Sequence, residues 1–122
     1  TIFSDYDIVV DGCDNFATRY IVNDVCVKQK KTLISGSILG YEGQLAVFNF
    51  RGSRNLRDIF PEPPASDDVP NCSENGVLGT LPAILGSMMA HETLQVILER
   101  SALANTFLIY HSLNLSFTKL RY

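Results

Sequence analysis

Between Asp7 and Asp11 the apolar run Ile8-Val9-Val10 is closed at each end by an acid, which predicts a short strand buried on both faces of a parallel sheet. The period then changes. From Asn15 to Lys31, Phe16, Tyr20, Ile21, Val22, Val25 and Val27 form a broad apolar stripe, with Arg19, Asn23 and Asp24 on the polar side and Lys28, Lys30 and Lys31 near the C-terminal end. This predicts an amphipathic helix capped by Asp14 or Asn15. Thr32 to Gly36 reads as a second strand, so the first part of the chain is a right-handed parallel β-α-β unit. Gly40-Tyr41-Glu42-Gly43 interrupts it. Gln44 to Phe50 resumes as a strand with Leu45 and Val47 on one face and Ala46, Phe48 and Phe50 on the other.

Residues 50–78 lose this periodicity. Pro61, Pro63, Pro64 and Pro70 fall here, and five acids without a Lys or Arg occupy Asp58 to Leu78. A segment of this length without structure of its own reads as a crossover loop, with Ile59 and Phe60 anchoring its start. Gly79 to Arg100 predicts a second helix, Pro82 in its first turn. Leu81, Ile84, Leu85, Met88, Leu94, Ile97 and Leu98 spread around its circumference and predict that it is largely buried. Thr106 to Tyr110 and Leu113 to Tyr122 predict an antiparallel pair, Leu113, Leu115 and Phe117 alternating with polar residues. The expected class is α/β: a parallel β-α-β unit, then antiparallel strands and a buried helix.

Composition narrows the function. At 122 residues, 46% hydrophobic and 19% charged, the chain has the make-up of one folded globular unit. Its net charge of -3 has the wrong sign for phosphate neutralisation, so nucleic acid is not an expected partner. No apolar run is long enough for a membrane span and Thr1-Ile2-Phe3 does not open a signal peptide, so the expected location is cytoplasmic. Cys13, Cys26 and Cys72 are odd in number and form no C-x-x-C pair, which leaves neither a disulfide framework nor a complete zinc site. A first strand only a few residues after a non-methionine start reads as though an N-terminal half were missing.

Asp11-Gly12-Cys13-Asp14-Asn15 carries the candidate chemistry. A parallel strand ends and a helix begins there, the place where open α/β sheets bind ligands and helix amides attract anions. Asp14 is a candidate Mg²⁺ ligand, since that ion takes one or two carboxylates together with nucleotide phosphates. The plainer reading is a capping pair. Arg19 and Asn23 follow Asn15 on one helix face, as cleft lining or as a solvated wall. Cys72 sits among acids that disfavour its thiolate. Cys13 and Cys26 read as small buried hydrophobes, Met88 and Met89 as core, and His91 and His111 have no triad pattern around them.

Taken together, Asp7 to Arg19, Leu33-Ile34-Ser35-Gly36, Gly40-Tyr41-Glu42-Gly43-Gln44, Ile59-Phe60-Pro61-Glu62-Pro63-Pro64 and Asn71 to Gly79 resemble, in order and spacing, the C-terminal half of the ThiF/MoeB/HesA family. Leu108-Ile109-Tyr110 and Leu113 to Phe117 extend the resemblance over nearly all of residues 1–122. The family comprises adenylyltransferases that activate ubiquitin-like sulfur-carrier proteins in thiamine, molybdopterin or related sulfur transfer, on a Rossmann-like, ubiquitin-activating-enzyme-type fold. The resemblance implies ATP and Mg²⁺ as cofactors, Asp14 as the magnesium ligand, Asn15 and Arg19 as nucleotide-binding neighbours, and Cys72 as the crossover-loop cysteine that some members join covalently to the carrier. It also implies a homodimer, and a carrier platform on the antiparallel strands Gln44 to Phe50 and Leu113 to Tyr122.

Two departures stand out. Many members place C-x-x-C before the Phe-Pro motif to bind structural zinc, whereas the matching positions here are Asn55 and Asp58, so zinc is not expected. The family's Gly-rich nucleotide loop, Arg-containing helix and catalytic Lys would lie before Thr1, so this segment alone is expected to be inactive. The alternative is a non-catalytic carrier-docking or dimerisation module of the same fold. A Rossmann dehydrogenase is disfavoured because no G-x-G-x-x-G occurs.

Overall fold

The computed structural model describes residues 2–64 and 79–122. After a 3₁₀ turn at Ile2–Asp5, strand β1 (Ile8–Asp11) leads into helix α1 (Phe16–Lys28), followed by β2 (Thr32–Leu39) and β3 (Glu42–Phe48). A 3₁₀ turn at Phe50–Gly52, a one-turn helix α2 (Leu56–Ile59), a long helix α3 (Thr80–Ile97) and strands β4 (Thr106–His111) and β5 (Ser116–Arg121) come next. The strands form one sheet in the order β1-β2-β3-β4-β5. Only β1 and β2 are parallel, with Asp11 opposite Ser35; the other pairs are antiparallel. The α/β class and the β-α-β unit with antiparallel strands after it are therefore observed.

Alternation along the strands makes two cores. Ile34, Leu45 and Val47 pack with Leu85, Met89 and Val96 of α3 on one face, and Leu33, Ala46 and Phe48 pack with Tyr20 and Cys26 of α1 and Leu56 of α2 on the other. Each fully buried Leu or Phe contributes about 1.5–3 kcal/mol. At Gly36 a Cβ would overlap Met89 Sδ, so the Met89 side chain of α3 occupies the space that the missing side chain leaves over β2.

Several patterns resolve differently from their sequence reading. Among the described residues β1 stands at the edge of the sheet with β2 as its one neighbour, and Val10 is 51% exposed rather than buried. Two residues of the side of α1 read as polar turn inward: Arg19 and Asn23 are buried beside Tyr20 and Cys26, while Asp24 stays exposed and Ile21 of the apolar stripe is 64% exposed. Burial is tolerated because the polar members find hydrogen-bond partners on neighbouring elements. Phe50 joins the α3 side with Val47, since Asn49 adopts a left-handed φ of 58° that turns the chain out of the strand. α3 is not largely buried: Leu94, Ile97 and Leu98 are exposed, because the sheet covers one face only. β5 begins at Ser116, leaving Leu113 and Leu115 in an exposed turn. Among the described residues, no helix is long and apolar enough to cross a membrane.

Candidate functional site

The loop from Asp11 to Asn15 hangs from the carboxyl end of β1. Asn15 is the cap of α1, its Oδ1 accepting from the Thr18 amide at 2.8 Å, which releases Asp14 from that duty. Asp14 is exposed and, among the described residues, its carboxylate accepts only from Asn15 Nδ2 at 3.3 Å. The first-turn amides of Phe16 and Ala17 have no intrahelical acceptor, so the end of α1 is electropositive next to that carboxylate. One open carboxylate beside a helix N-terminus matches a magnesium-bound polyphosphate, which supplies most of the metal's ligands itself. Among the described residues no group of three or more His, Cys, Asp or Glu could hold a metal ion without such a ligand.

Arg19 holds this loop in place. It is 8% exposed, and its Nη1 donates to Ser35 Oγ at 3.0 Å and to the Gly36 carbonyl at 3.1 Å, while Nη2 donates to the Cys13 carbonyl. Asp11, also buried, lies 3.8 Å from Nη1 and accepts from the Cys13 amide at 2.9 Å. One guanidinium thus ties the residue preceding Asp14 to strand β2. It is neither a solvated wall nor free to face a cleft with these donors. Ser35 and Gly36 belong to the Leu33-Ile34-Ser35-Gly36 motif, which the sequence alone leaves without a role. Their part in the site is to accept from Arg19, which no residue spacing could disclose because they lie on another strand. Burial and the Asp11 carboxylate push the Cys13 thiol up, which keeps it protonated and chemically quiet.

A second polar knot fastens the start of the crossover segment to α1. Asn23, 1% exposed, accepts from the Leu56 amide at 3.0 Å and donates to Asn55 Oδ1 at 3.2 Å. Tyr20 Oη donates to the Phe60 carbonyl at 2.8 Å. Asn55 and Asp58, at the positions where many family members carry the zinc thiols, form a capping box for α2: Asn55 N donates to Asp58 Oδ2 at 2.8 Å and Arg57 N to Asn55 Oδ1 at 2.9 Å. Arg57 also forks onto Asp24, Nε to Oδ1 at 2.7 Å and Nη2 to Oδ2 at 2.9 Å, with its guanidinium 4.8 Å from the Tyr20 ring centre.

This fork gives a pH prediction. The Arg57 hydrogen bonds hold the Asp24 carboxyl below its usual range. The pair's contribution is present above the unfolded value of about 3.9 and is lost as pH falls through the lower folded value. Arg57→Ala is expected to move the acid-unfolding midpoint, followed by circular dichroism, to higher pH by a small amount, since both side chains are partly exposed and solvent screens the pair. An unmoved midpoint would show the pair to be fully screened.

Cys72 lies outside the described residues. Cys26 is buried, its thiol pushed up to about 11 by that burial. His91 meets Gln95, and His111 lies between Glu42 and Thr118. An apolar cleft of about 590 Å³, lined by Val10, Gly12, Gly86, Met89, Ala90 and Leu94, opens on the α3 side of the same loop.

A family model described as ThiF family matches residues 1–122. The chain is 46% identical over 117 residues to the Adenylyltransferase and sulfurtransferase MOCS3 of Aedes aegypti, covering 95% of this chain and 27% of that protein. It is also 46% identical over 125 residues to the Sulfur carrier protein adenylyltransferase of Thermus thermophilus, covering 98% of this chain and 46% of that protein. The chain thus spans less than half the length of either relative. Among solved structures, Escherichia coli MccB with ATP superposes with a TM-score of 0.73 over 94% of this chain and 37% of that one, at 11% identity, a likeness of fold alone.

Proposed function

The chain belongs to the ThiF family, and on that premise we propose that the natural protein carrying it adenylylates the C-terminal glycine carboxylate of a ubiquitin-like sulfur carrier at the expense of ATP. The supporting observation is Asp14, exposed at the carboxyl end of β1 beside the α1 N-terminus, with its capping role taken by Asn15. Joining a carboxylate to the α-phosphorus of ATP requires two anions to be held in line, a task of charge neutralisation and positioning. Asp14 would hold the Mg²⁺, which when bound draws charge from the phosphate oxygens. The α1 amides would face the phosphates and Asn15 would fix the turn. Arg19 acts behind them as a positioning residue, setting the Cys13 carbonyl and hence the height of Asp14 above β2.

The residues described here supply one wall of such a site. The apolar cleft beside Val10 and Gly12 and the exposed edge of β1 would pack against the rest of the nucleotide-binding half. The exposed Leu94, Ile97 and Leu98 of α3 are proposed to lie in a homodimer interface. Carrier-dependent exchange of labelled pyrophosphate into ATP tests the activity. A natural protein that binds the carrier but shows no exchange would favour the docking-module reading instead.

Cys72 carries a separate expectation, that it accepts the carrier acyl group after adenylylation. Its thiolate would attack the acyl-adenylate carbonyl, with AMP as the leaving group and a thioester as product. Cys72→Ser should leave exchange within about twofold of wild type and remove any thiol-labile adduct on a non-reducing gel. Loss of exchange, or survival of the adduct, would contradict this role.

A further inference from the structure

The turns joining β2 to β3 and β4 to β5 lie side by side at the end of the sheet to which β1 and β2 deliver their carboxyl ends. Ser112 fastens them together, its amide donating to the Tyr41 carbonyl at 3.0 Å and its hydroxyl to the same oxygen. Between the turns is a half-open cleft of about 390 Å³, with Leu39, Tyr41 and Leu113 as its apolar lining and Glu42, His111 and Asn114 among its polar lining.

Strand register sorts what faces this end. Leu39, Glu42, His111 and Ser116 stand in one cross-strand row and Ser37, Gln44, Ile109 and Thr118 in the next, on the face that carries α1. Across β2 to β5, Glu42 is the one formally charged side chain on that face; Lys119 and Arg121 alternate to the other. Glu42 is half exposed, and among the described residues no Lys or Arg pairs with it. Its Oε1 lies 3.3 Å from His111 Nδ1, and His111 Nε2 lies 2.9 Å from Thr118 Oγ1. A carboxylate only accepts, so a neutral ring keeps its proton on Nδ1 and takes the Thr118 hydroxyl at Nε2. The carboxylate is thereby held through Oε1, while Glu42 itself lines the cleft and is half exposed.

A fixed carboxylate flanked by an aromatic ring and two aliphatic side chains suits a long cationic side chain, whose stem packs on the walls while its head meets the charge. We propose that this cleft receives an arginine or lysine of the ubiquitin-like carrier, and so fixes how the carrier body sits on the sheet. The inference rests on the carrier reading above. Geometry permits both contacts at once: β1 and β4 are three strand spacings apart, about 14 Å, and five extended tail residues span about 16 Å. The body can dock over β3 to β5 while its C-terminus reaches Asp14.

The test measures carrier-dependent pyrophosphate exchange by the natural protein with the ubiquitin-like sulfur carrier encoded by the same genome. Glu42→Lys is expected to raise the carrier KM by at least about tenfold, and Glu42→Gln by less, with kcat and the KM for ATP within about twofold. Among carrier variants in which each Arg or Lys is changed to Glu, one should restore the KM of Glu42→Lys. Glu42→Gln preserves shape and serves if the lysine variant does not fold. An active wild type whose carrier KM is indifferent to both substitutions overturns the cleft proposal and leaves the activity standing. A wild type without carrier-dependent exchange overturns the activity and the cleft proposal together. A Glu42→Lys protein that changes its sedimentation state at unchanged carrier KM would assign the cleft to a second copy of the chain and overturn the carrier assignment.

Discussion

Replacing Asp14 by alanine is expected to lower carrier-dependent pyrophosphate exchange by about 10³-fold, equivalent to about 4 kcal/mol of transition-state stabilisation. The expectation follows from division of labour within five residues. Asn15 performs the capping, Asp11 pairs with Arg19, and Asp14 makes one long hydrogen bond to a neighbouring amide. Removing it therefore costs the fold little, and the thermal midpoint of the variant should match wild type within the scatter of the measurement. Asp14→Asn keeps an oxygen ligand and should recover part of the rate at raised magnesium. A variant with intact exchange would remove Asp14 from the proposed site. A variant that lost both exchange and stability would make it structural.

The second large effect concerns stability. Arg19→Ala should destabilise the protein by about 3–5 kcal/mol, because it strands the buried Asp11 charge as well as three acceptors on Cys13, Ser35 and Gly36. That is a large part of the roughly 5–15 kcal/mol that separates a typical domain from its unfolded state. Urea unfolding monitored by circular dichroism measures it directly. Arg19→Lys should fall between, since an ammonium keeps the charge but not the fork that reaches β2 and the loop together. Pairing Asp11→Asn with Arg19→Met should recover much of the loss, as removing both buried charges avoids leaving either one alone. An Arg19→Ala protein with wild-type stability would mean that water replaces the guanidinium, and that the loop is held by some other contact.

The two predictions turn on two neighbouring acids in different surroundings. Asp11 and Asp14 are three residues apart, yet one is buried against a cation and the other faces solvent. The zinc positions make the same point. Asn55 and Asp58 are predictable as non-thiols from the sequence, but their use as a capping box, backed by Asn23 from across the α1–α2 contact, depends on two helices meeting.

Local chemistry settled a good deal by itself. Alternation at Leu45 to Phe48, the acid-bounded run at Ile8 to Val10 and the Asp14-Asn15 pair before Phe16 specify strand, strand and a helix cap at one of two residues, because each depends on neighbours within four positions. The motif order along the chain was enough to place it in its family. The inward face of α1 was beyond such reasoning: Arg19 and Asn23 are polar, and polarity means exposure unless partners wait on another element, here Ser35, Gly36 and Leu56. The exposure of Val10 follows from β1 standing at the sheet edge, and the cleft at Glu42 exists because Ser112 ties its turn to Tyr41, 71 residues away in sequence. Burial and convergence of this kind depend on contacts between distant segments, which only the assembled sheet and its two helical layers bring together.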